Sequence, residues 1–296
     1  MVLNVEGMGR PIVLSTRQVE PLLRARTAGE GAVSTSLDLG MTSAEVHLEA
    51  QRVVFPDGQW LPWERLEEIL QSETGCYVVE GNEAEKIQRF SEFLGRAYSL
   101  MSTERAPTLL VSGIPMHRIK DTDPRQDTLA KIRAVAPVTG RVLDTCTGLG
   151  YTAIEAARAA EQVVTIELDP VVLEVARLNP WSRALFEHPR IEQVVGDSFD
   201  AIQDLEDGSF ARIIHDPPMF SLAGELYSGE FYRHLYRVMQ RKGRLFHYIG
   251  DLSSRSGRNV VKGVTRRLQE AGFSGIARRP GAFGVVAYKG SGPSER

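Results

Sequence analysis

Cysteine is nearly absent: Cys76 and Cys146 are the two in 296 residues, far apart and without a CxxC partner. A disulfide framework and a cysteine-built zinc site are thereby excluded, and a reducing compartment is expected. No apolar run reaches the roughly 20 residues that a membrane-crossing helix needs. The start, Met1 to Gly7, lacks the basic and apolar stretches of a signal peptide, so the expectation is a cytoplasmic chain with no membrane partner. Charge of one sign is not in excess either, with 35 Lys and Arg against 38 Asp and Glu and a net charge of −3. That balance excludes a uniformly basic nucleic-acid binder and an acidic solvating tail. Internal repeats and low-complexity tracts are missing.

What is present is a globular composition, 42% hydrophobic and 25% charged, in a length that suits about two domains. The charge is unevenly spread. Residues 231–280 hold twelve Lys and Arg but only Asp251 and Glu270, whereas residues 41–100 hold five basic and eleven acidic residues. The basic segment suits either a solvated helix face or a surface that tracks phosphates, as RNA binding would require.

From residue 141 short apolar strands alternate with helical stretches. Strands are expected at 141–144, 162–167, 191–195, 211–215 and 244–249, and helices at 151–160, 171–178, 229–240 and 259–271. A closing hairpin follows at 275–279 and 285–289, around Pro280-Gly281-Ala282-Phe283-Gly284. This alternation predicts a mostly parallel sheet covered on both faces. The first 110 residues read as a small α/β module, with β-like runs at 33–39, 45–48 and 51–55 and helical patterns at 62–70 and 84–98. Residues 111–125 read as a linker, 126–290 as the second domain and 291–296 as a tail. His117, Arg118 and Lys120 fall in that linker.

Four strand ends carry the residues that point to chemistry. Asp144-Thr145-Cys146-Thr147-Gly148-Leu149-Gly150 follows the first strand and opens into a helix. Two glycines there let the backbone turn tightly and approach a ligand, and a helix start offers N–H donors. The third glycine of a dinucleotide fingerprint is missing, and the leading acid suits a cationic or hydroxyl-bearing ligand better than a phosphate. Glu167 ends the next strand, where a carboxylate can accept both hydroxyls of a ribose. Gly196-Asp197-Ser198 follows the third, and Asp197 there suits an adenine amino group or a helix N-cap equally. His215-Asp216-Pro217-Pro218-Met219-Phe220 follows the fourth, with two prolines that fix φ and stiffen the acceptor set around Asp216. His215 itself reads as packing or a hydrogen-bonded structural group.

In order and strand position these segments resemble the motifs of class I S-adenosylmethionine-dependent methyltransferases, over about residues 125–290. The resemblance implies a doubly wound, seven-stranded Rossmann-like α/β sheet behind the small N-terminal α/β module, with S-adenosyl-L-methionine as cofactor. It implies that Asp144, Thr145, Cys146, Gly148, Gly150, Glu167, Leu168, Asp197, Ser198 and Asp216 bind the cofactor. Catalysis would fall to Asp216, Pro217, Pro218 and Phe220, without a metal. Cys146 stands where the family's first loop glycine is usual, and Met219 where its amine methylases carry an aromatic residue. Asp-Pro-Pro-x-Phe is similar to a form in ribosomal RNA base methyltransferases, so the implied reaction is methylation of an amine nitrogen on an RNA base. The Ser112–Arg118 stretch resembles one in a family of predicted methyltransferases from archaea and some bacteria. Leu226 to Tyr232 resembles a segment of spermidine synthases, which implies as alternative an aminopropyltransferase that uses decarboxylated S-adenosylmethionine and a polyamine substrate. That family's glycine-rich loop and its acidic pair after the fourth strand are absent. A third reading is a non-catalytic cofactor-binding scaffold. Tyr227, Phe231 and Tyr232 have the spacing of a helix core face, which outweighs a base-stacking role.

Overall fold

The computed structural model describes residues 11–220, 222–252 and 254–290; Met1 to Gly7 and the 291–296 tail lie outside them. The chain divides into two compact units, one of residues up to 124 with 174–183, the other of the remainder.

The first unit builds three small antiparallel sheets. Its elements are β1 (Ile12–Ser15), α1 (Thr16–Thr27), β2 (Ala32–Thr35), β3 (Ala44–Leu48), β4 (Arg52–Val54), β5 (Trp60–Pro62), α2 (Trp63–Gln71), β6 (Cys76–Glu80), β7 (Glu83–Lys86), β8 (Gln88–Ser91), β9 (Arg96–Met101), β10 (Thr108–Val111) and β11 (Ile114–Pro115). Ser15 starts α1 with a capping box: the Ser15 amide and hydroxyl both donate to Gln18 Oε1, at 3.1 and 2.7 Å. Proline at the N-cap of α2 presets its entry, and Trp63, Leu66 and Ile69 then recur at a three-residue spacing into the core with Leu14, Leu22 and Phe55. The Trp63 indole N–H, which must find an acceptor when buried, donates to the Glu49 carbonyl at 3.0 Å.

The stretch 84–98 is a run of strands, β7 to β9, and not the helix that its apolar spacing suggests. Phe90 and Phe93 are 63% and 72% exposed, as no buried helix face allows, and the buried residues Tyr98 and Leu100 alternate along β9. Gly81 and Gly95 take φ of 66° and 62° at the turns between these strands, as tight hairpins require. Within the stretch read as a linker, the His117 amide donates to the Thr108 hydroxyl at 3.2 Å, so β10 anchors it.

The second unit holds α3 (Pro124–Val135, from Arg125 onward), β12 (Arg141–Asp144), α4 (Tyr151–Ala157), β13 (Gln162–Glu167), α5 (Pro170–Arg177, its first half), α6 (Arg183–Glu187), β14 (Ile191–Val195), α7 (Ser198–Ala201), β15 (Phe210–His215), α8 (Gly229–Val238), β16 (Met239–Tyr248), α9 (Arg255–Glu270), β17 (Phe273–Arg279) and β18 (Gly284–Lys289). Its seven-stranded sheet has the order β14-β13-β12-β15-β16-β18-β17. The first five are parallel and β18 is antiparallel to both its neighbours. This is the doubly wound sheet with a closing hairpin that the sequence predicts. The chain reverses direction across the sheet between β12 and β15, which places a crevice at their carboxyl ends. Below it the core gathers Leu143, Ile166, Ile213, Phe231, Tyr232 and Leu245.

Candidate functional site

Asp144 ends β12 in register with Ile214 on one side and Thr165 on the other, so the loop after β12 and the turn after β15 face the same crevice. Asp144 is buried, and its Oδ2 accepts from the Thr165 and Thr152 hydroxyls at 2.9 and 3.1 Å. Its Oδ1 is buried without a hydrogen-bond partner. Burial pushes the Asp144 carboxyl up to about 8, with the two threonines pulling against it. Beyond it, Gly148 and Gly150 take φ of 53° and 76°. A Cβ on Gly150 would lie 2.7 Å from Leu185 Cδ2, whereas one on Gly148 would meet nothing within 4 Å. Gly150→Ala is therefore expected to destabilise by about 2–4 kcal/mol, adding left-handed backbone strain to overpacking. Gly148→Ala carries the backbone part alone, about 1–2 kcal/mol. Denaturant unfolding of the two variants checks this, and equal losses would refute the Leu185 contact.

Glu167 sits half-buried at the end of β13, accepting from the Gly148 amide at 2.8 Å and the Asp169 amide at 3.2 Å. Burial pushes its carboxyl up to about 7 against those two amides. The next residue, Leu168, is 37% exposed. At the end of β14 the Asp197 carboxylate accepts from the Phe199 amide at 2.7 Å, which makes it the N-cap of α7. Ser198 donates its hydroxyl to the Thr145 carbonyl and so ties α7 to the first loop. Cys146 is half-buried there, its thiol pushed up by burial and by Glu167.

At the end of β15, His215 is fully buried and is packing, as its setting implied. A carbonyl can only accept, so Nε2–H donates to Leu226 O at 2.9 Å, and Nδ1 accepts from the Thr145 hydroxyl at 2.7 Å. Burial holds its imidazolium down to about 3, so the ring is neutral. Pro217 is buried, Pro218 half-buried, and Met219 and Phe220 are 50% and 58% exposed. The Pro218 carbonyl accepts from the Tyr227 hydroxyl at 2.9 Å, and Phe220 meets the Tyr227 ring edge-on at 5.5 Å. Leu226, Tyr227, Phe231 and Tyr232 are core, and Ser228 caps α8 by accepting from the Phe231 amide.

Sequence reasoning missed Lys131 and Asp127. Both lie on α3, and the Lys131 ammonium is 2.6 Å from Asp216 and 2.8 Å from Asp127. Burial alone depresses this ammonium, but the carboxylates of Asp216 and Asp127 outweigh it and hold it above the ordinary lysine range. An Asp–Lys pair four apart reads as a solvated helix pair. The signal that marks it is that Asp127, Lys131 and Val135 form one buried stripe.

Part of the basic segment is turned inward. Arg237 donates to the Leu205 and Ile202 carbonyls, Arg267 to that of Tyr227, and Arg244 to that of Ala136. Among the described residues no cluster of His, Cys, Asp and Glu could hold a metal, and no helix is long and apolar enough to cross a membrane.

Residues 141–271 match the spermine/spermidine synthase domain. A spermidine synthase in complex with the transition state analogue AdoDATO has a TM-score of 0.57 at 18% identity, covering 69% of this chain and 73% of that one. MNMC2 from Aquifex aeolicus has a TM-score of 0.52 at 20% identity, covering 70% and 75%. Strand order and these likenesses define the class of fold: a Rossmann-like α/β sheet of the kind that spermidine synthases share. Polyamine aminopropyltransferase 2 of Streptomyces coelicolor is 30% identical over 188 residues, which are 60% of this chain and 34% of that protein. The uncharacterized protein MJ1233 of Methanocaldococcus jannaschii is 42% identical over 260 residues, 86% of this chain and 88% of that protein. The chain belongs to the family of MJ1233.

Proposed function

We propose that the chain is a transferase that moves an alkyl group from an S-adenosyl sulfonium donor to a nitrogen nucleophile. The observation that carries this reading is the crevice between β12 and β15, where a two-glycine loop, Glu167 and Asp216 meet at one sheet edge. The residues fit such a donor. The loop backbone is bare at Gly148, and two carboxyl groups line the edge: the half-buried Glu167, ionised above about pH 7, suits hydroxyl groups, and Asp144, protonated up to about pH 8, turns its unpartnered Oδ1 to a hydrogen-bonding group and not to phosphate. In this reading Asp144, Thr145, Cys146, Gly148 and Gly150 border the amino-acid end of the donor. Glu167 and Leu168 take the ribose, Asp197 lies toward the adenine, and Ser198 acts through Thr145. Asp216, Pro217, Pro218 and Phe220 face the acceptor. The donor brings an electrophilic carbon on a charged sulfur, so the protein's work is alignment, which is worth about 7–11 kcal/mol.

Aminopropyl transfer from the decarboxylated donor is the first reading, because the domain match and the aminopropyltransferase relatives support it over methyl transfer. One observation favours methyl transfer as the second, to an RNA base amine that the outward part of the basic segment would help to hold. Pro217 and Pro218 stand where a second carboxylate would extend the site, and the single strand-end acid is already shared with Lys131. Calorimetric titration with S-adenosylmethionine, its demethylated product and the decarboxylated donor tests both. Tighter binding of the decarboxylated form supports aminopropyl transfer, tighter binding of the carboxylated pair supports methyl transfer, and no binding by any sinks the transferase.

Glu167 gives the titration a pH dependence. Its ionised form accepts ribose hydroxyls and predominates only above about pH 7. Donor affinity is expected to rise roughly tenfold from about pH 6 to pH 8. Asp144 titrates nearby, so Glu167→Gln is the control: a rise that survives this change would assign the effect elsewhere.

A further inference from the structure

We infer that His215 is a positioning residue, one that holds the donor loop after β12 in register with the acceptor side after β15 through its two ring nitrogens. This rests on the alkyl-transfer reading and holds for either alkyl group. On the donor side the ring meets Thr145, all of whose polar groups are engaged. The Thr145 amide donates to the Ile214 carbonyl at 3.1 Å, its carbonyl accepts from the Ser198 hydroxyl, and its own hydroxyl donates to Nδ1 of His215 at 2.7 Å. On the acceptor side Nε2–H donates at 2.9 Å to the Leu226 carbonyl, in the short helical turn Gly224–Tyr227. The Tyr227 carbonyl accepts from Arg267 at 2.8 Å, and the Tyr227 hydroxyl reaches back to the Pro218 carbonyl at 2.9 Å. Pro217 and Pro218 have no N–H to donate, so the turn after Asp216 is held there through a carbonyl.

Packing alone does not call for an imidazole here. His215 is 0% exposed and lies among the rings of His247, Phe231 and Tyr227, at centroid distances of 4.4, 5.2 and 6.3 Å. An apolar side chain would fill that space without desolvating two ring nitrogens, a loss that only both hydrogen bonds together offset. The two bonds also have one direction. A carbonyl cannot donate, so the proton is on Nε2, and the Nδ1 lone pair accepts from the Thr145 hydroxyl. The ring thus accepts from the donor loop and donates to the acceptor side, and a flipped ring would satisfy neither. In-line transfer is sensitive to this register, since a displacement of about 1 Å between reacting groups costs on the order of a hundredfold in rate. His215 touches neither reactant in this reading; it acts through Thr145 and Leu226.

Two substitutions cut the link at opposite ends. In His215→Gln the side-chain amide takes the Nε2 position and still donates to Leu226, but Thr145 loses its acceptor. In His215→Asn the side-chain oxygen takes the Nδ1 position and still accepts from Thr145, but the bond to Leu226 is lost. Amide hydrogen exchange of the full chain should therefore quicken about three- to tenfold over residues 145–150 in His215→Gln and over residues 222–228 in His215→Asn, and not the reverse. Calorimetric titration with S-adenosylmethionine and its decarboxylated form should show donor affinity about three- to tenfold weaker in His215→Gln and within about twofold of wild type in His215→Asn. A ring that only filled space would loosen both regions alike in both variants. That result, or wild-type exchange in both variants, overturns the inference. Thr145→Val keeps the shape of its side chain and decides if the His215 variants do not fold. It should repeat the His215→Gln pattern, and a loop that exchanges as in the wild type overturns the link. Wild-type donor titration separates the two failures. If neither donor binds, the transfer reading falls and takes this inference with it; if one binds and the exchange pattern fails, this inference falls alone.

Discussion

Lys131→Met is expected to lower the unfolding free energy by about 3–5 kcal/mol, the cost of leaving a buried carboxylate without its counter-ion. Methionine matches the length of the lysine stem, so little cavity forms and the loss reports charge. Asp127, at 0% exposure, is the carboxylate that bears the loss of the ion pair, since Asp216 retains access to water. The sign of the pH dependence follows. A stranded buried acid has its folded-state pKa raised above the unfolded value, so its ionisation opposes folding once pH exceeds the unfolded value. The deficit should be largest above neutral pH and shrink in mild acid. Asp127→Asn in the same chain removes the stranded charge and should restore about 1–3 kcal/mol, a coupling that only neighbours show. Urea unfolding of wild type, both single variants and the double variant measures it. Additive losses across the four would mean that the ammonium and Asp127 do not share the interaction that their 2.8 Å separation implies.

How much of this was legible beforehand divides by sequence distance. The central parallel strands of the second unit announced themselves because parallel strands buried on both faces are short apolar runs, and Val142-Leu143 or Val163-Val164 can be little else. The strand ends followed at once, and with them Asp144, Glu167, Asp197 and Asp216. The N-terminal unit was harder: its strands bury single residues between exposed or half-buried ones, as Tyr98 and Leu100 do along β9, so 84–98 read as a helical pattern. Asp197 shows why a type and a position leave roles open. The same carboxylate suits an N-cap or a ligand, and only the 2.7 Å bond to the Phe199 amide reveals the cap. Lys131 lies 85 residues from Asp216, and nothing local in α3 marks it except a charge on the buried stripe. Pairings of that kind are set by tertiary packing, which a periodicity count along one helix does not see.

Asp216→Ala is expected to cut kcat by about 10²–10⁴-fold while donor affinity stays within a few-fold of wild type. The split follows from position. Asp216 stands at the end of β15 opposite the β12 loop, where in the proposed reading it orients the acceptor nitrogen, and Glu167 and the glycine loop hold the donor from β12 and β13 without it. Stability should suffer less than in Lys131→Met, because the ammonium remains paired one-to-one with Asp127 when Asp216 is removed. The conservative change Asp216→Asn separates geometry from charge. Its amide oxygen still accepts an N–H from the acceptor but pairs less well with Lys131, so kcat should fall between wild type and alanine. Single-turnover transfer from labelled donor, run beside a donor titration, gives both readouts on one preparation. An alanine variant that loses donor binding as well would move Asp216 from acceptor positioning to cofactor binding. One that keeps full turnover would remove it from the chemistry altogether, and Phe220 and the prolines of the same turn would then be a rim without a centre.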